Sequence, residues 1–322
     1  MPSLARIKTG VPEMFEQARL VGNTYGGSEA HWFLDMCWCL IRYGARPIDY
    51  VRFEFYKKSA HERNRYLTIY RYFKLLKKVG YLNEATHGKI AEYKTFADYI
   101  RRPWIVVGKD TDPQIVKQFI AKHGVVFAKP NMGDQGKGVM KIKADDSKAI
   151  EELLVECKQG TYVVEDAIKQ DPDIEAINPS SVNTVRVTTL TDKQGCPQII
   201  SVILRAGAPG SHVDNWGAGG VGYNFNLETG ICDQYGKDKK NRKYIYHPGS
   251  NKQMLGYKLP HFEEIKDYVT KLGKLVPNVR YIGWDVAITT DGFDLVEMNC
   301  PAGHDMFQSF DNPVYERMKE IL

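Results

Sequence analysis

Two acidic side chains and one amide side chain near the C-terminus, Asp285, Glu297 and Asn299, are of the residue types that bind a hard cation. They lie on two runs of alternating polar and apolar residues that flank a turn sequence at 290–292. Alternation on both sides of an Asp-Gly turn predicts a β-hairpin. This set is too small to enclose Ca²⁺ but suits Mg²⁺ that also binds phosphate oxygens. The hairpin therefore predicts a magnesium site for a nucleotide.

The register of this hairpin decides whether the two carboxylates meet. If residues 290–292 form a three-residue loop with Gly292 at positive φ, Asp285 stands opposite Glu297 and Asn299 follows on the same face. A two-residue turn is expected to break the cluster. The alternative interpretation is a solvated polar face on an ordinary hairpin. We favour the three-residue loop because it collects one apolar face opposite the cluster, formed by Trp284, Val286, Val296 and Met298.

The composition is that of a globular protein with a large core. The chain has 322 residues, of which 43% are hydrophobic and 26% charged, which predicts two or three packed subdomains. A net charge of +5 is modest for this length and does not argue for nucleic-acid binding. The six cysteines form no C-x-x-C pair, which argues against a zinc ribbon or a disulfide scaffold. We expect reduced thiols and a cytoplasmic location.

Neither a signal peptide nor a transmembrane segment is predicted. Lys8 and several polar residues interrupt any apolar run at the N-terminus. The longest apolar stretch, Trp32 to Ile41, contains Asp35 and is much shorter than the roughly 20 residues that cross a bilayer. This stretch predicts a buried helix.

The helical and strand patterns divide the chain into three predicted domains. Residues 1–100 are helical and rich in aromatic residues, which core packing explains without nucleic-acid stacking. From Trp104 onwards strands alternate with helices, which predicts an α/β (α+β) fold. The expected domains are the helical region 1–100, a small lid subdomain 101–168 and a large subdomain 169–322. The expected strands are 105–107, 125–129, 162–165, 184–189 and 198–206. One helix is expected to be capped by Asp112, to begin at Pro113 and to end at Gly124, and a second is expected from about Ser147 to Gln159.

A glycine-rich loop, residues 129–139, joins two of the predicted strands and contains Gly133, Gly136 and Gly138. It is not a P-loop, because glycine instead of Ser or Thr follows Lys137, and it is not a dinucleotide fingerprint, because a strand follows it. The pattern predicts a flexible hairpin whose backbone N–H groups surround phosphates. The alternative is an ordinary mobile hairpin.

The order of these motifs resembles the ATP-grasp superfamily, which includes D-alanine:D-alanine ligases. The resemblance rests on the strand lysine Lys129, the glycine-rich loop, the run Glu165-Asp166-Ala167-Ile168 and the terminal hairpin, and it covers roughly residues 125–308. Three shorter strings resemble the sugar-transfer-associated ATP-grasp family, a branch tied to bacterial surface-polysaccharide clusters. They are residues 178–187, Asp214-Asn215 with Gly219-Gly220, and residues 283–287.

The resemblance implies an ATP site with these roles. Lys129 and the glycine-rich loop hold the phosphates, and either Lys89 or Lys94 supplies a second phosphate lysine. Glu165 and the backbone of Ala167 and Ile168 bind adenine, and Asp173 is favoured over Asp171 for the ribose. Arg186 and Arg205 face the transferred phosphate and the acyl group. The metal set is Asp285, Glu297 and Asn299, with two Mg²⁺ ions expected and Mn²⁺ as an alternative.

The implied activity is an ADP-forming carboxylate–amine ligase that works through an acyl phosphate. Its expected partners are a small-molecule carboxylate and an amine, and the branch resemblance suggests a sugar acid or nucleotide sugar among them. Alternatives are a small-molecule kinase, a peptide ligase or a non-catalytic nucleotide-binding partner of a glycosyltransferase, and a homodimer is left open. We reject Cys300 as a nucleophile, because ATP supplies the activation. His304 is a candidate substrate contact, and the basic run 237–243 either attracts an anionic sugar or is solvated.

Overall fold

A computed structural model gives the fold of residues 4–80, 87–133, 137–211, 214 and 216–322, with side chains described from residue 10 onwards. Gly136 and Asn215, both named above, lie outside these residues. Helices fill the N-terminal region and two antiparallel sheets follow it. The architecture therefore matches the predicted α/β (α+β) fold with a helical N-terminal region.

The N-terminal helices are amphipathic and pack around aromatic side chains. Tyr50, Phe53, Phe55 and Tyr66 are among the most completely buried residues, so core packing explains this aromatic-rich sequence. The helices are α1 (Leu4–Tyr25), α2 (Glu29–Tyr43), α3 (Pro47–Arg52), α4 (Ala60–Asn64), α5 (Ile69–Val79) and α6 (Lys89–Thr95), with short 3₁₀ turns at Phe55–Lys57 and Ala97–Tyr99.

The apolar stretch from Trp32 to Ile41 forms a helix, as predicted, but the prediction that it is buried is wrong. It lies within α2, whose Leu34, Trp38 and Ile41 are 67%, 56% and 81% exposed. Only one face of an amphipathic helix packs against the core, and α2 uses the face that contains Met36. Among the described helices, none combines the length and apolar character needed to cross a membrane.

A four-stranded antiparallel sheet, here called the small sheet, carries the glycine-rich loop. The strand order is β1-β4-β2-β3, and the loop joins β2 to β3 as the predicted hairpin. Asp112 caps the first helix of this region by accepting a hydrogen bond from the backbone N–H of Gln114, as the sequence predicts. The elements are β1 (Trp104–Val107), α7 (Pro113–His123), β2 (Val125–Pro130), β3 (Met140–Lys143), α8 (Ser147–Glu156) and β4 (Tyr162–Asp166).

A seven-stranded antiparallel sheet, here called the large sheet, forms the centre of the C-terminal half. Its strand order is β11-β10-β5-β6-β7-β8-β9, so β11 is an edge strand. The elements are α9 (Pro172–Glu175), β5 (Thr184–Thr191), β6 (Pro197–Ala206), β7 (Val221–Phe225), β8 (Gly236–Lys237), β9 (Lys243–Tyr244), α10 (Phe262–Leu275), β10 (Tyr281–Thr289), β11 (Gly292–Asn299) and α11 (Tyr315–Ile321).

Both faces of the large sheet are covered. One face packs against α10 in the main core, and Tyr93, Phe96 and Ile100 join this core from the end of the helical region. The other face packs against α5 and the C-terminal segment. The segment 89–100 thus contributes to the core of the large sheet, and the predicted domain limits stay a prediction.

The β10–β11 hairpin brings the two predicted metal carboxylates opposite each other. Asp285 pairs with Glu297, as the sequence predicts. The predicted three-residue loop is wrong, however, because Thr289 pairs with Gly292 and only residues 290–291 form the turn. Gly292 does take a positive φ, of 122°.

A β-bulge compensates for the shorter turn. The register shifts between Asp285 and Val286, so that Val296 is the extra residue of β11. The expectation that a two-residue turn breaks the cluster is therefore wrong. Val296 also does not join the predicted apolar face. Leu295, which pairs with Val286, takes that place in the core.

Candidate active site

A cavity of ≈ 420 Å³ opens between α6, the glycine-rich loop and the end of β11. This volume lies in the range of small-molecule sites, about 300–1,000 Å³. The two motifs singled out from the sequence thus face one space. The lining residues are Gly88, Lys89, Glu92, Asn131, Met132, Gly133, Glu297, Met298, Asn299, Cys300 and Pro301.

Glu297 and Asn299 present oxygen atoms that fit a magnesium ion. Glu297 Oε1 accepts a hydrogen bond from Lys89 Nζ at 2.9 Å. Within the described part of the chain, Glu297 Oε2 and Asn299 Oδ1 have no hydrogen-bond partner, and both residues line the cavity. The described residues hold no group of three or more His, Cys, Asp and Glu side chains that could bind a metal ion. A cation here would therefore need phosphate oxygens as further ligands, which is how Mg²⁺ binds nucleotides.

Asp285 lies opposite Glu297 on the neighbouring strand, and in this structure both of its carboxylate oxygens accept hydrogen bonds. It forms a two-pronged ion pair with Arg186, and its Oδ2 also accepts from Arg205 Nη1 at 3.2 Å and Asn299 Nδ2 at 3.1 Å. Burial alone would raise the pKa of Asp285, but the two guanidinium charges outweigh it and hold the pKa below its ordinary value. Asp285 stays an anion bound to arginines, and its role as a metal ligand stays a prediction.

Arg186 and Arg205 place two positive charges beside the predicted metal residues. Arg205 Nη2 also binds Asp214 Oδ1 at 2.7 Å, and Thr184 donates to the same carboxylate from its backbone N–H and its hydroxyl. Burial lowers the pKa of Arg205, but the carboxylates of Asp214 and Asp285 together outweigh burial. The net shift of the Arg205 pKa is therefore upward. The two adjacent strands β5 and β6 thus hold fixed cations, as a site for phosphoryl transfer requires.

Of the two lysines left open by the sequence, the structure places Lys89 at the cavity and Lys94 at the surface. Burial lowers the pKa of Lys89, but the charge and hydrogen bond of Glu297, together with the nearby Glu92, outweigh burial and raise the pKa above its ordinary value. Lys89 therefore remains charged next to the predicted phosphate position.

Lys129 forms an ion pair with the buried carboxylate of Glu165, and neither residue lines the cavity. Lys129 Nζ lies 2.6 Å from Glu165 Oε1, and Arg102 Nε lies 2.9 Å from Glu165 Oε2. Tyr93 also donates to this carboxylate through its hydroxyl. Burial pushes the pKa of Glu165 upward, but the charges of Arg102 and Lys129 lower it to about 2. Glu165 thus orients Lys129, and its predicted contact with adenine stays a prediction.

The remaining predicted nucleotide residues lie around the end of β4 and in α9. The Ala167 N–H donates to Asp166 Oδ1 at 2.7 Å, whereas the backbone of Ile168 has no hydrogen-bond partner among the described residues. Asp173 is exposed, while Asp171 caps α9 by accepting from two backbone N–H groups. Of the described loop glycines, Gly133 lines the cavity and Gly138 adopts a positive φ of 74°.

Sequence reasoning missed four buried polar residues at this site. Arg102 bridges Glu165 in the small sheet and Asp294 in the large sheet, and Tyr93 donates its hydroxyl to the same network. Glu92 accepts a hydrogen bond from the backbone N–H of Met298 at 2.6 Å. Local sequence does not show that such residues are buried, because the partners that make their burial possible lie far away in the chain.

The turn after Asn299 is held by the N-terminal helices. His304 Nε2 lies 3.1 Å from Asp49 Oδ1, and its ring stacks on Tyr72 with centroids 4.9 Å apart. His304 therefore makes protein contacts, and a substrate contact stays a prediction. Burial raises the pKa of the Cys300 thiol to about 12, which agrees with its rejection as a nucleophile. In the basic run, Lys237 is buried and donates to Ser309 O, so this run is not simply solvated.

Several solved ATP-grasp structures resemble the chain at low identity. One is the ATP-grasp ligase PsnB complexed with a minimal precursor, Mg and ADP, at 18% identity over 73% of this chain and 59% of that chain, with a TM-score of 0.41. Another is D-alanyl-alanine synthetase A from Vibrio cholerae, at 16% identity over 76% of this chain and 67% of that chain, with a TM-score of 0.46. A third is D-alanine–D-alanine ligase from Bacillus anthracis, at 14% identity over 77% and 72%, with a TM-score of 0.45.

The chain thus spans 59% of the length of that PsnB structure. No curated protein matches the sequence. A family model described as sugar-transfer associated ATP-grasp, however, matches residues 94–321, which contain both sheets and the cavity-lining end of β11. The chain belongs to the sugar-transfer associated ATP-grasp family.

Proposed function

We propose that this protein is an ATP-dependent carboxylate–amine ligase that releases ADP and phosphate. The observation that carries the proposal is the cavity lined by Lys89, Glu297, Asn299 and the start of the glycine-rich loop, in which Lys89 binds Glu297. Free carboxylate and amide oxygens beside the half-buried Lys89 suit a nucleotide with its magnesium ion. Membership of the ATP-grasp family supports the same assignment.

In the first step, an oxygen of the acceptor carboxylate forms a bond to the γ-phosphorus of ATP as the bond to ADP breaks. This step brings several negative oxygens together, so the protein must supply positive charge in advance. Lys89 at the cavity and Arg186 and Arg205 on adjacent strands are the candidates for that charge. A magnesium ion held by Glu297 and Asn299 would neutralise the phosphate oxygens.

In the second step, the nitrogen of the amine substrate attacks the acyl carbon, the phosphate leaves and the nitrogen loses a proton. The product is an amide, and the overall reaction consumes one ATP for each bond formed. The cations bound by Asp285 and Asp214 are fixed by buried ion pairs, so they need no reorganisation during the reaction.

For the substrates, we propose an amino acid and a uronic acid sugar, joined during surface-polysaccharide synthesis in the cytoplasm. The family's description as sugar-transfer associated supports a sugar acid or a nucleotide sugar as one of the two. Two Mg²⁺ ions, with Mn²⁺ as a substitute, and a homodimer belong to the same proposal.

The test is a joint assay of ADP and phosphate release against a panel of amino acids and sugar acids. We expect ADP and phosphate to appear in equal amounts, and only when a carboxylate and an amine are both present. Release of ADP without phosphate would instead identify a kinase and overturn the ligase proposal. ATP binding without turnover on any pair would favour a non-catalytic role.

A further inference from the structure

Helix α6 stands between the glycine-rich loop and the strand that carries the predicted metal residues. At its start, the backbone N–H of Lys89 donates to Asn131 O at 2.9 Å, and that of Ile90 donates to Asn131 Oδ1 at 2.9 Å. Asn131 in turn donates its own N–H to Thr161 O at 2.8 Å. Asn131 thus fixes the first turn of α6 to the end of the small sheet.

The same helix contacts two consecutive residues of β11. Lys89 Nζ binds the side chain of Glu297 at 2.9 Å, and Glu92, one helical turn later, accepts from the backbone N–H of Met298 at 2.6 Å. Because β11 is the edge strand, a backbone N–H that points away from β10 has no strand partner. Glu92 supplies that partner from outside the sheet.

Burying the carboxyl group of Glu92 costs folding free energy, so its presence at this position indicates a specific role. Its side chain is buried, with 6% of the residue exposed, although it also lines the cavity. Burial, together with the nearby charge of Glu297, raises its pKa to about 8. Met298 lies between Glu297 and Asn299 in the chain, so a shift of its backbone moves both residues. The hydrogen bond that Glu92 accepts from Met298 therefore influences the positions of the two free oxygens in the cavity, Glu297 Oε2 and Asn299 Oδ1.

We propose that Glu92 is a positioning residue that fixes the backbone of Met298 and thereby holds Glu297 and Asn299 in the geometry that binds magnesium. Helix α6 extends this support to the glycine-rich loop through Asn131. The inference rests on the proposed function, because it assigns magnesium to Glu297 and Asn299. It adds a contact that acts on the ligands through the backbone and does not itself touch the ion.

Two conservative variants separate the position of the acceptor oxygen from the presence of a carboxyl group. Glu92→Gln keeps an acceptor oxygen at the same reach without a carboxyl group, whereas Glu92→Asp keeps the carboxyl group but shortens the side chain by one methylene. Glu175→Asp, on the exposed end of α9, is the matched control. Two quantities are measured for each protein: hydrogen exchange of the Met298 amide without ligand, and the affinity for ADP with and without Mg²⁺.

Glu92→Gln and the control should retain the wild-type Met298 exchange rate and the wild-type gain in ADP affinity on adding Mg²⁺. In Glu92→Asp, the Met298 amide should exchange faster. The gain in ADP affinity on adding Mg²⁺ should be roughly tenfold smaller than in the wild-type protein, which is the usual cost of disturbing the residues that support metal ligands. The affinity for ADP without Mg²⁺ should be unchanged. Should Glu92→Asp fail to fold, Glu92→Gln alone still tests the proposal, because it must preserve both quantities.

Three results would overturn the inference. The first is an impaired Glu92→Gln beside a normal Glu92→Asp, which would assign the role to the carboxyl group itself and not to the position of the acceptor oxygen. The second is an equal loss of ADP affinity with and without Mg²⁺, which would mean general structural damage. The third is an unchanged Met298 exchange rate in Glu92→Asp. If the wild-type protein itself gains no affinity from Mg²⁺, the proposed metal site fails and this inference fails with it.

Discussion

Replacing Arg102 by methionine should destabilise the protein strongly, because this side chain bridges the two sheets through buried ion pairs. Its Nε lies 2.9 Å from Glu165 Oε2 in β4, and its guanidinium also binds Asp294 and Leu295 O in β11. Arg102 is only 5% exposed. Removing it leaves two buried carboxylates short of a cation, and the loss of one partner from a buried pair costs about 3–5 kcal/mol.

The pKa of Glu165 shows how strongly its carboxylate interacts with all of its partners together. It falls from an ordinary value of 4.5 to about 2, and at about 1.4 kcal/mol for each unit this corresponds to roughly 3–4 kcal/mol of folding free energy. Because the folded pKa is the lower one, this contribution is fully present above pH 4.5 and is lost as the pH falls towards 2. Lys129 and Tyr93 still contact Glu165 in the variant, so Arg102 accounts for only part of this free energy.

The assay is urea unfolding at pH 7, with Arg101→Met as the matched control. Arg101 is the exposed neighbour of Arg102, and its guanidinium donates one solvent-exposed hydrogen bond, to Asp291 O. Its loss should therefore change the free energy of unfolding by no more than about 0.5 kcal/mol. The gap between the two variants should be about 3–5 kcal/mol at neutral pH and should narrow as the pH falls below 4.5. A gap of less than about 1 kcal/mol at pH 7 would refute this reasoning.

Three further predictions concern the cavity. Glu297→Gln should abolish turnover while the protein stays folded, because it weakens magnesium binding but keeps the shape of the side chain. Full activity would defeat the metal assignment. Lys89→Met should raise the KM for ATP while its surface counterpart Lys94→Met should not, as steady-state kinetics at saturating acceptor will show. Cys300→Ser should keep the wild-type turnover, because a thiol whose pKa is raised to about 12 is protonated at neutral pH and is not a nucleophile. Loss of activity in the serine variant would restore the nucleophile hypothesis.

The main elements could be predicted from local patterns. The cap at Asp112, the alternation in β10 and β11 and the glycine-rich hairpin each depend on residues close together in the chain. The bulge could have been anticipated too. Leu295 and Val296 are adjacent apolar residues that break the alternation of β11, and such a break in phase is typical of a bulge.

The buried polar contacts could not be predicted in the same way. Glu92 and Met298 are 206 residues apart in the chain, and only the packing of α6 against the edge of the large sheet brings them together. Local sequence also does not separate Lys89 from Lys94, because both lie in one short helix and the fold decides which of them faces the cavity. These contacts come from the tertiary arrangement of α6, which local periodicity does not encode.

The most direct test of the central claim is a crystal structure of the protein with Mg²⁺ and a non-hydrolysable ATP analogue. We expect the phosphates in the cavity beside Lys89, and a magnesium ion about 2.0–2.1 Å from oxygens of Glu297 and Asn299. A nucleotide bound away from the cavity, or a magnesium ion with no bond to Glu297, would contradict the account.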